Sequence, residues 1–247
     1  MRLAALYDIH GNLPALEAVL ADVRRAGVDG IVVGGDVVPG PMPRETMACL
    51  QELDLPVQYI SGNGEREVRQ QMNTGTCGVP PAYRETMRWV AEALDRGHER
   101  LFASWPATIT CEIAGGGAAF FCHATPRNDS EIFTRLTPDD VLAPMLSGVA
   151  APLVVCGHTH MQFDRSVGAT RVVNAGSVGM PFGAPGAYWL LLGPGVELRR
   201  TAYDFERAAD RIRATGYPQA AEFAANNVLA PPAESVMLEA FEKSALR

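Results

Sequence analysis

The sequence predicts an α/β fold around a mainly parallel sheet, and three observations carry that expectation. Apolar runs alternate with a helical pattern over the first 60 residues, strand-like runs recur through the second half, and polar residues rich in chemistry stand where those runs end. Residues 3–7 read as a buried strand. Leu13, Leu16, Val19, Leu20 and Val23 follow at helical spacing until Gly27 ends the helix. Residues 30–33 form the next strand and 57–60 a third, so the connections are right-handed βαβ units. Ligand sites of such sheets lie beyond the C-terminal ends of the strands.

From residue 65 to about 102 the pattern becomes helical and reads as a cap, with a breaker-rich stretch at 74–81 dividing it into two segments. Strand-like runs return at 108–113, 118–122, 152–156, 170–173 and 187–192. From residue 204 to 247 amphipathic helical stretches alternate with Pro231-Pro232, and this tail is expected to pack on the domain or to mediate a homo-oligomer. With 247 residues and 47% hydrophobic content, and with no visible linker, the chain reads as a single domain.

The net charge of −7 lacks the basic surface that binding to a nucleic-acid duplex requires. Neither a signal-peptide core nor a stretch of 18 apolar residues is present, so no membrane partner and a cytoplasmic location are expected. The five cysteines have no CxxC spacing and suit neither a disulfide framework nor a thiolate zinc site. Cys122 and Cys156, at the ends of apolar runs, read as small buried hydrophobes.

Four clusters stand at strand ends: Asp8-Ile9-His10, Gly35-Asp36, Gly62-Asn63, and His123 together with Gly157-His158-Thr159-His160. Any of the first three alone is more readily a turn or a cap. Jointly they hold four of the five histidines, each after an apolar run, which independent turns would not do. Carboxylate, amide oxygen and imidazole without thiolate suit borderline divalent ions such as Mn, Fe, Zn or Ni.

The ordered pattern D-x-H, G-D, G-N, H and G-H-x-H resembles that of the calcineurin-like metallophosphoesterases, and DIHGN, GDVVPGP, CHATP and VVNAGSVG resemble their small prokaryotic phosphodiesterase branch. The resemblance implies two facing mixed β-sheets flanked by helices and two divalent metal ions per chain. By that likeness one ion takes Asp8, His10 and His160, the other Asn63, His123 and His158, and Asp36 bridges them. Asp36, Asn63 and His123 are then the candidate catalytic residues. The implied reaction is hydrolysis of a small phosphorylated substrate (a phosphodiester, nucleotide or phosphoanhydride) by metal-activated water. Protein phosphatase and dinucleoside polyphosphate hydrolase are the alternatives, as is a non-catalytic metal-binding scaffold like the retromer subunit of this fold. The full set of seven donors favours an enzyme.

Many relatives read G-N-H-[E/D] and G-D-x-x-D-R-G, and this chain has Gly64 in place of that histidine and Pro39 in place of the second aspartate. That missing acid pair weakens the phosphatase reading and favours good leaving groups. Asn12, Arg66 and Arg127 are candidate substrate-binding residues. Glu65 and Asn12 are also candidate hydrogen-bond partners of the ligands. His98 reads as a helix-end histidine, with a substitute acid role as the alternative. Most Trp and Met residues read as core, and Trp89, in the cap, is the aromatic placed to cover a nucleobase.

Overall fold

A computed structural model describes residues 1–245; the tail's residues 246–247 lie outside the described residues. Two five-stranded mixed sheets face each other. The first contains β1 (Leu3–Leu6), β2 (Gly30–Val33) and β3 (Val57–Tyr59), paired in parallel. Between them run α1 (Leu13–Ala26) and α2 (Pro43–Gln51). Asn12 starts α1 by accepting the Ala15 N–H, and Gly27 ends it at φ 63°, a left-handed stop that glycine adopts without a Cβ penalty.

The cap consists of α3 (Asn63–Thr74), one 3₁₀ turn (Pro81–Tyr83), α4 (Arg84–Ala93) and α5 (Arg96–Ser104). The expected break at 74–81 is present. A second break was not foreseen: Asp95 caps α5 by accepting the N–H groups of Gly97 and His98.

The second sheet holds β4 (Thr108–Ile113), β5 (Gly117–Cys122), β6 (Leu153–Cys156), β7 (Phe163–Val167) and β8 (Thr170–Asn174), with α6 (Asp139–Met145) lying between β5 and β6 in the chain. Strands β5, β6 and β8 are parallel, whereas β4 and β7 pair antiparallel at the edges. The chain then returns to the first sheet through β9 (Ala187–Leu192) and β10 (Val196–Thr201), both antiparallel to their neighbours. Strands β7 and β10, both at sheet edges, escaped the sequence reading because polar and charged residues dominate FDRSV and VELRRT. The run VELRRT carries charge on an exposed edge, which discourages intermolecular pairing but hides the apolar pattern.

Leu3, Ala5 and Tyr7 of the first sheet meet Ile113, Phe121 and Val155 of the second in one buried layer. Tyr7 crosses this layer and donates its hydroxyl to the Val155 carbonyl at 3.1 Å. Cys122 and Cys156 are fully buried, and all five cysteines are free thiols.

The tail, α7 (Phe205–Arg213), α8 (Ala220–Phe223), a π-helical segment (Ala224–Leu229) and α9 (Glu234–Ala245), folds onto its own chain. Arg211 pairs with Glu17 of α1 at 2.6 Å, and Glu242 accepts the Thr134 hydroxyl at 2.6 Å. Among the described residues no helix is long and apolar enough to cross a membrane. Phe121 is fully buried between the sheets, so Phe121→Ala should destabilise the protein by about 3 to 5 kcal/mol, measured by urea unfolding.

Candidate metal centre

The candidate ligands come from the C-terminal ends of strands in both sheets, and the backbone there is unusual. Asp8, His10, Asp36, His158 and His160 all have φ between 48° and 65° and are the non-glycine residues with positive φ among the described residues. Each such residue costs about 1 to 3 kcal/mol, a cost borne only where the surroundings hold it. Hydrogen bonds supply that hold. The Asp8 N–H donates to the Gly35 carbonyl (3.1 Å) and the His10 N–H to the Asp36 carbonyl (2.9 Å). From the other sheet, the His158 N–H donates to Asp8 Oδ2 (2.9 Å).

The side chains then converge. Asp8, His10 and His160 form one group that could hold a metal, and Asp8, Asp36 and His123 another. Asp36 turns Oδ2 toward His10 Nε2 (3.8 Å) and Oδ1 toward His123 Nε2 (3.5 Å), so its carboxylate spans the two groups. Asp8 Oδ1 shares that central position, 3.2 Å from His160 and 3.9 Å from both His10 and His123. Asn63 Oδ1 lies 3.1 Å from His123 Nε2. His158 stands beside this second group with its ring 5.2 Å from that of His123.

The donor set fits divalent cations on grounds internal to the structure. Nδ1 of His10, His123 and His160 faces the main-chain carbonyls of Pro39 (3.2 Å), Gly34 (2.9 Å) and Met180 (2.8 Å). A carbonyl only accepts, so each Nδ1 carries a proton, and in its neutral, metal-binding form each ring presents an Nε2 lone pair inward. Those lone pairs meet other acceptors: His10 and His160 Nε2 are 3.3 Å apart, and His123 Nε2 faces the Asn63 oxygen. Asp8 Oδ1 is buried without a hydrogen-bond partner. Converging, unsatisfied acceptors of this kind need a cation among them.

The protonation pattern shows the same tension. Burial pushes His10 and His158 down to about 3 and Asp36 up to about 6. Burial acts to raise Asp8 too, but the neighbouring His160 holds its carboxyl below the usual range. His160 is in turn raised, the Asp8 carboxylate outweighing its desolvation.

Glu65, a candidate ligand partner, binds the backbone instead. Its buried carboxylate accepts the N–H groups of Gly62 (2.8 Å), Asp36 (2.9 Å), Val37 (2.7 Å) and Val38 (3.2 Å). It thereby joins the loop after β2 to the start of α3, and the Gly64 N–H adds a 2.6 Å bond to Asp36 Oδ1.

Asn12 is not a substrate-binding residue in this structure. It is fully buried, with its oxygen on the Ala15 N–H and its amide nitrogen on the Gly179 carbonyl, so it caps a helix and cannot reach a ligand. Arg66 and Arg127 do line a cavity of about 310 Å³ beside His123. Both are committed to carboxylates, Arg66 to Asp129 and Glu67 and Arg127 to Glu131. His98 caps α5 through Asp95, and Trp89 packs edge-on against Tyr217 at 5.5 Å; neither lines a cavity that contains site residues.

Two residues that hold the site escaped the sequence reading. Asn174 donates to the Gly157 carbonyl (2.6 Å) and Thr159 (3.1 Å), bracing the Gly-His-Thr-His turn. The Ser177 hydroxyl donates to the Asp8 carbonyl (2.7 Å). Their signal was two polar residues in VVNAGSVG, directly after an apolar strand. Glu65→Gln would turn an NH2 toward two of the four N–H donors, so it should cost about 2 to 6 kcal/mol in urea unfolding and weaken metal binding by about 10- to 100-fold.

A family model described as the calcineurin-like phosphoesterase superfamily domain matches residues 1–192. Phosphodiesterase YfcE of Escherichia coli is 28% identical over 201 residues, covering 77% of this chain and 87% of its own. An uncharacterized protein of Methanocaldococcus jannaschii is 27% identical over 237 residues, covering 88% and 94%. The solved metallophosphoesterase of Sphaerobacter thermophilus superposes with a TM-score of 0.73 at 26% identity, covering 92% and 99%. With the family matched across both sheets and the donors gathered at their shared edge, the chain belongs to the calcineurin-like phosphoesterase superfamily and is a metal-dependent phosphoric ester hydrolase.

Proposed function

We propose that the chain hydrolyses phosphodiesters, nucleotides or phosphoanhydrides with good leaving groups, using two divalent ions held by Asp8, His10, Asp36, Asn63, His123, His158 and His160. The observation that carries this reading is Asp8 Oδ1, a buried oxygen without a partner, facing three imidazole nitrogens. When bound, the ions supply Lewis acidity that polarises the phosphoryl group and acidifies the attacking water. The chain's own contribution is orientation: three carbonyls fix the imidazole tautomers, and Gly64 N–H fixes Asp36. Mn, Fe, Zn and Ni all suit this donor set, and the unpaired cysteines suit a cytoplasmic setting.

The cleft above His10, Asp36 and Asn63 supports a weak-acid requirement. It is bounded by Pro39 and Gly64, and beyond Asp36 its carboxyls are those of Glu67 and Glu222. Glu67 accepts from the Gly78 N–H and from Arg66, both at 2.5 Å, so its carboxylate oxygens are engaged within the cap and with its neighbour. A histidine cannot simply be restored at position 64. A Cβ there would strike the Val38 carbonyl oxygen, so Gly64→His tests packing and not acid catalysis.

Two measurements test this reading. Elemental analysis of wild-type protein should find two divalent ions per chain, and Asp36→Asn should lose at least one of them along with at least about ten-fold in rate; retained occupancy and rate would remove the bridging role. Across aryl and alkyl esters of graded leaving-group pKa, the rate should fall steeply. Preference for activated diesters over phosphoserine peptides should be about 10² to 10⁴, and a flat series would reveal a proton donor.

A further inference from the structure

The wall of the cleft facing the metal ligands comes from the tail, beyond the residues that the family match covers. Tyr217, Phe223, Asn226 and Asn227 line it opposite Val79 and Tyr83 of the cap, around a cavity of about 350 Å³. Tail and cap are tied together: the Gln219 amide donates to the Ala82 carbonyl at 3.2 Å, and Tyr217 packs against Trp89 of the cap (5.5 Å) while stacking edge-on with Phe223 within the tail (6.2 Å). Residues Ala224–Leu229 form a π-helix. Such wide turns occur mostly at functional sites, and this one lets the consecutive Asn226 and Asn227 both face the cavity.

The charge of this cleft is as informative as its shape. Among the described residues its lining includes Glu67 and Glu222 but no lysine or arginine. Beyond the metal ligands, nothing there would neutralise a second or third phosphate, and two carboxylates would repel it. Aromatic faces with paired amide donors and acceptors suit a flat, uncharged, hydrogen-bonding group. The volume is at the small end of the range of about 300 to 1,000 Å³ for small-molecule sites, room for one nucleoside and not two.

We infer that this cleft is a nucleobase pocket, read by Asn226 and Asn227, that selects nucleoside esters with a single phosphate at the metal centre and rejects polyphosphates. The inference rests on the phosphodiesterase reading above, and the two can fail separately. With Mn²⁺ added, turnover of bis(p-nitrophenyl) phosphate is compared with that of thymidine 5′-(p-nitrophenyl phosphate). If neither is hydrolysed, both readings fall. If the aryl diester is hydrolysed, the nucleoside ester should be preferred at least about ten-fold in kcat/KM, the scale on which pocket contacts discriminate substrates. The double substitution Asn226→Ala/Asn227→Ala should lower that ratio about ten-fold. In competition assays, thymidine monophosphate should inhibit more strongly than the diphosphate, and Glu222→Gln should narrow the gap. No nucleoside preference, a ratio unmoved by the double substitution, or tighter binding along the mono- to diphosphate series would overturn the inference while leaving the diesterase intact.

Discussion

One buried carboxylate holds the metal centre in place. Glu65 gathers N–H groups from two separate stretches of chain, Asp36 to Val38 after β2 and Gly62 before α3, and so fixes the spacing between Asp36 and Asn63. Without that carboxyl group four buried donors would lack partners, each at a cost of about 1 to 3 kcal/mol. Steric contacts reinforce the arrangement. A Cβ at Gly62 would collide with Asp36 and one at Gly35 would crowd Gly62 and His123, so the glycines let the segments approach closely enough for one carboxylate to bind both.

The left-handed turns answer the same demand from the strand side. An extended residue at a strand end points along the sheet's alternation, whereas a left-handed residue turns the chain sharply and re-aims its side chain. Asp and His tolerate this conformation better than most residues, and five of the seven donors adopt it. The chemistry that selects them as ligands is thus compatible with the backbone that presents them.

The centre was legible in the sequence because its parts sit where apolar runs stop, and a strand end is readable from one short stretch of chain. Asn12 shows the limit of that reading. It has a polar side chain next to Asp8 and His10, and only its contacts to Ala15 and Gly179 reveal a cap. Strands were legible where apolar character is strong, as in β1, β2, β5 and β6. At β10 the exposed positions dominate the residue pattern, while pairing with β9 depends on a partner close in sequence but unannounced by periodicity. The cleft was the least legible part, since its walls come from residues 79–87 and 217–227, and nothing local in either segment announces the other.

That separation divides the work of the molecule. The sandwich supplies ligands that are buried, strained and tied through several backbone hydrogen bonds, so their geometry has few alternatives. Cap and tail meet through the Trp89–Tyr217 contact and a hydrogen bond from the Gln219 amide, and an aromatic pair of this kind is worth about 0.5 to 1.5 kcal/mol beyond its burial. Substitutions on that seam would reshape the space above the metals at small cost to the fold. Substitutions at Glu65, Asp8 or Asp36 would disturb packing, backbone strain and ligand charge together. On the proposed function, a hydrolase built this way separates the chemistry of phosphate, set at the sheet edge, from recognition of what the phosphate is attached to.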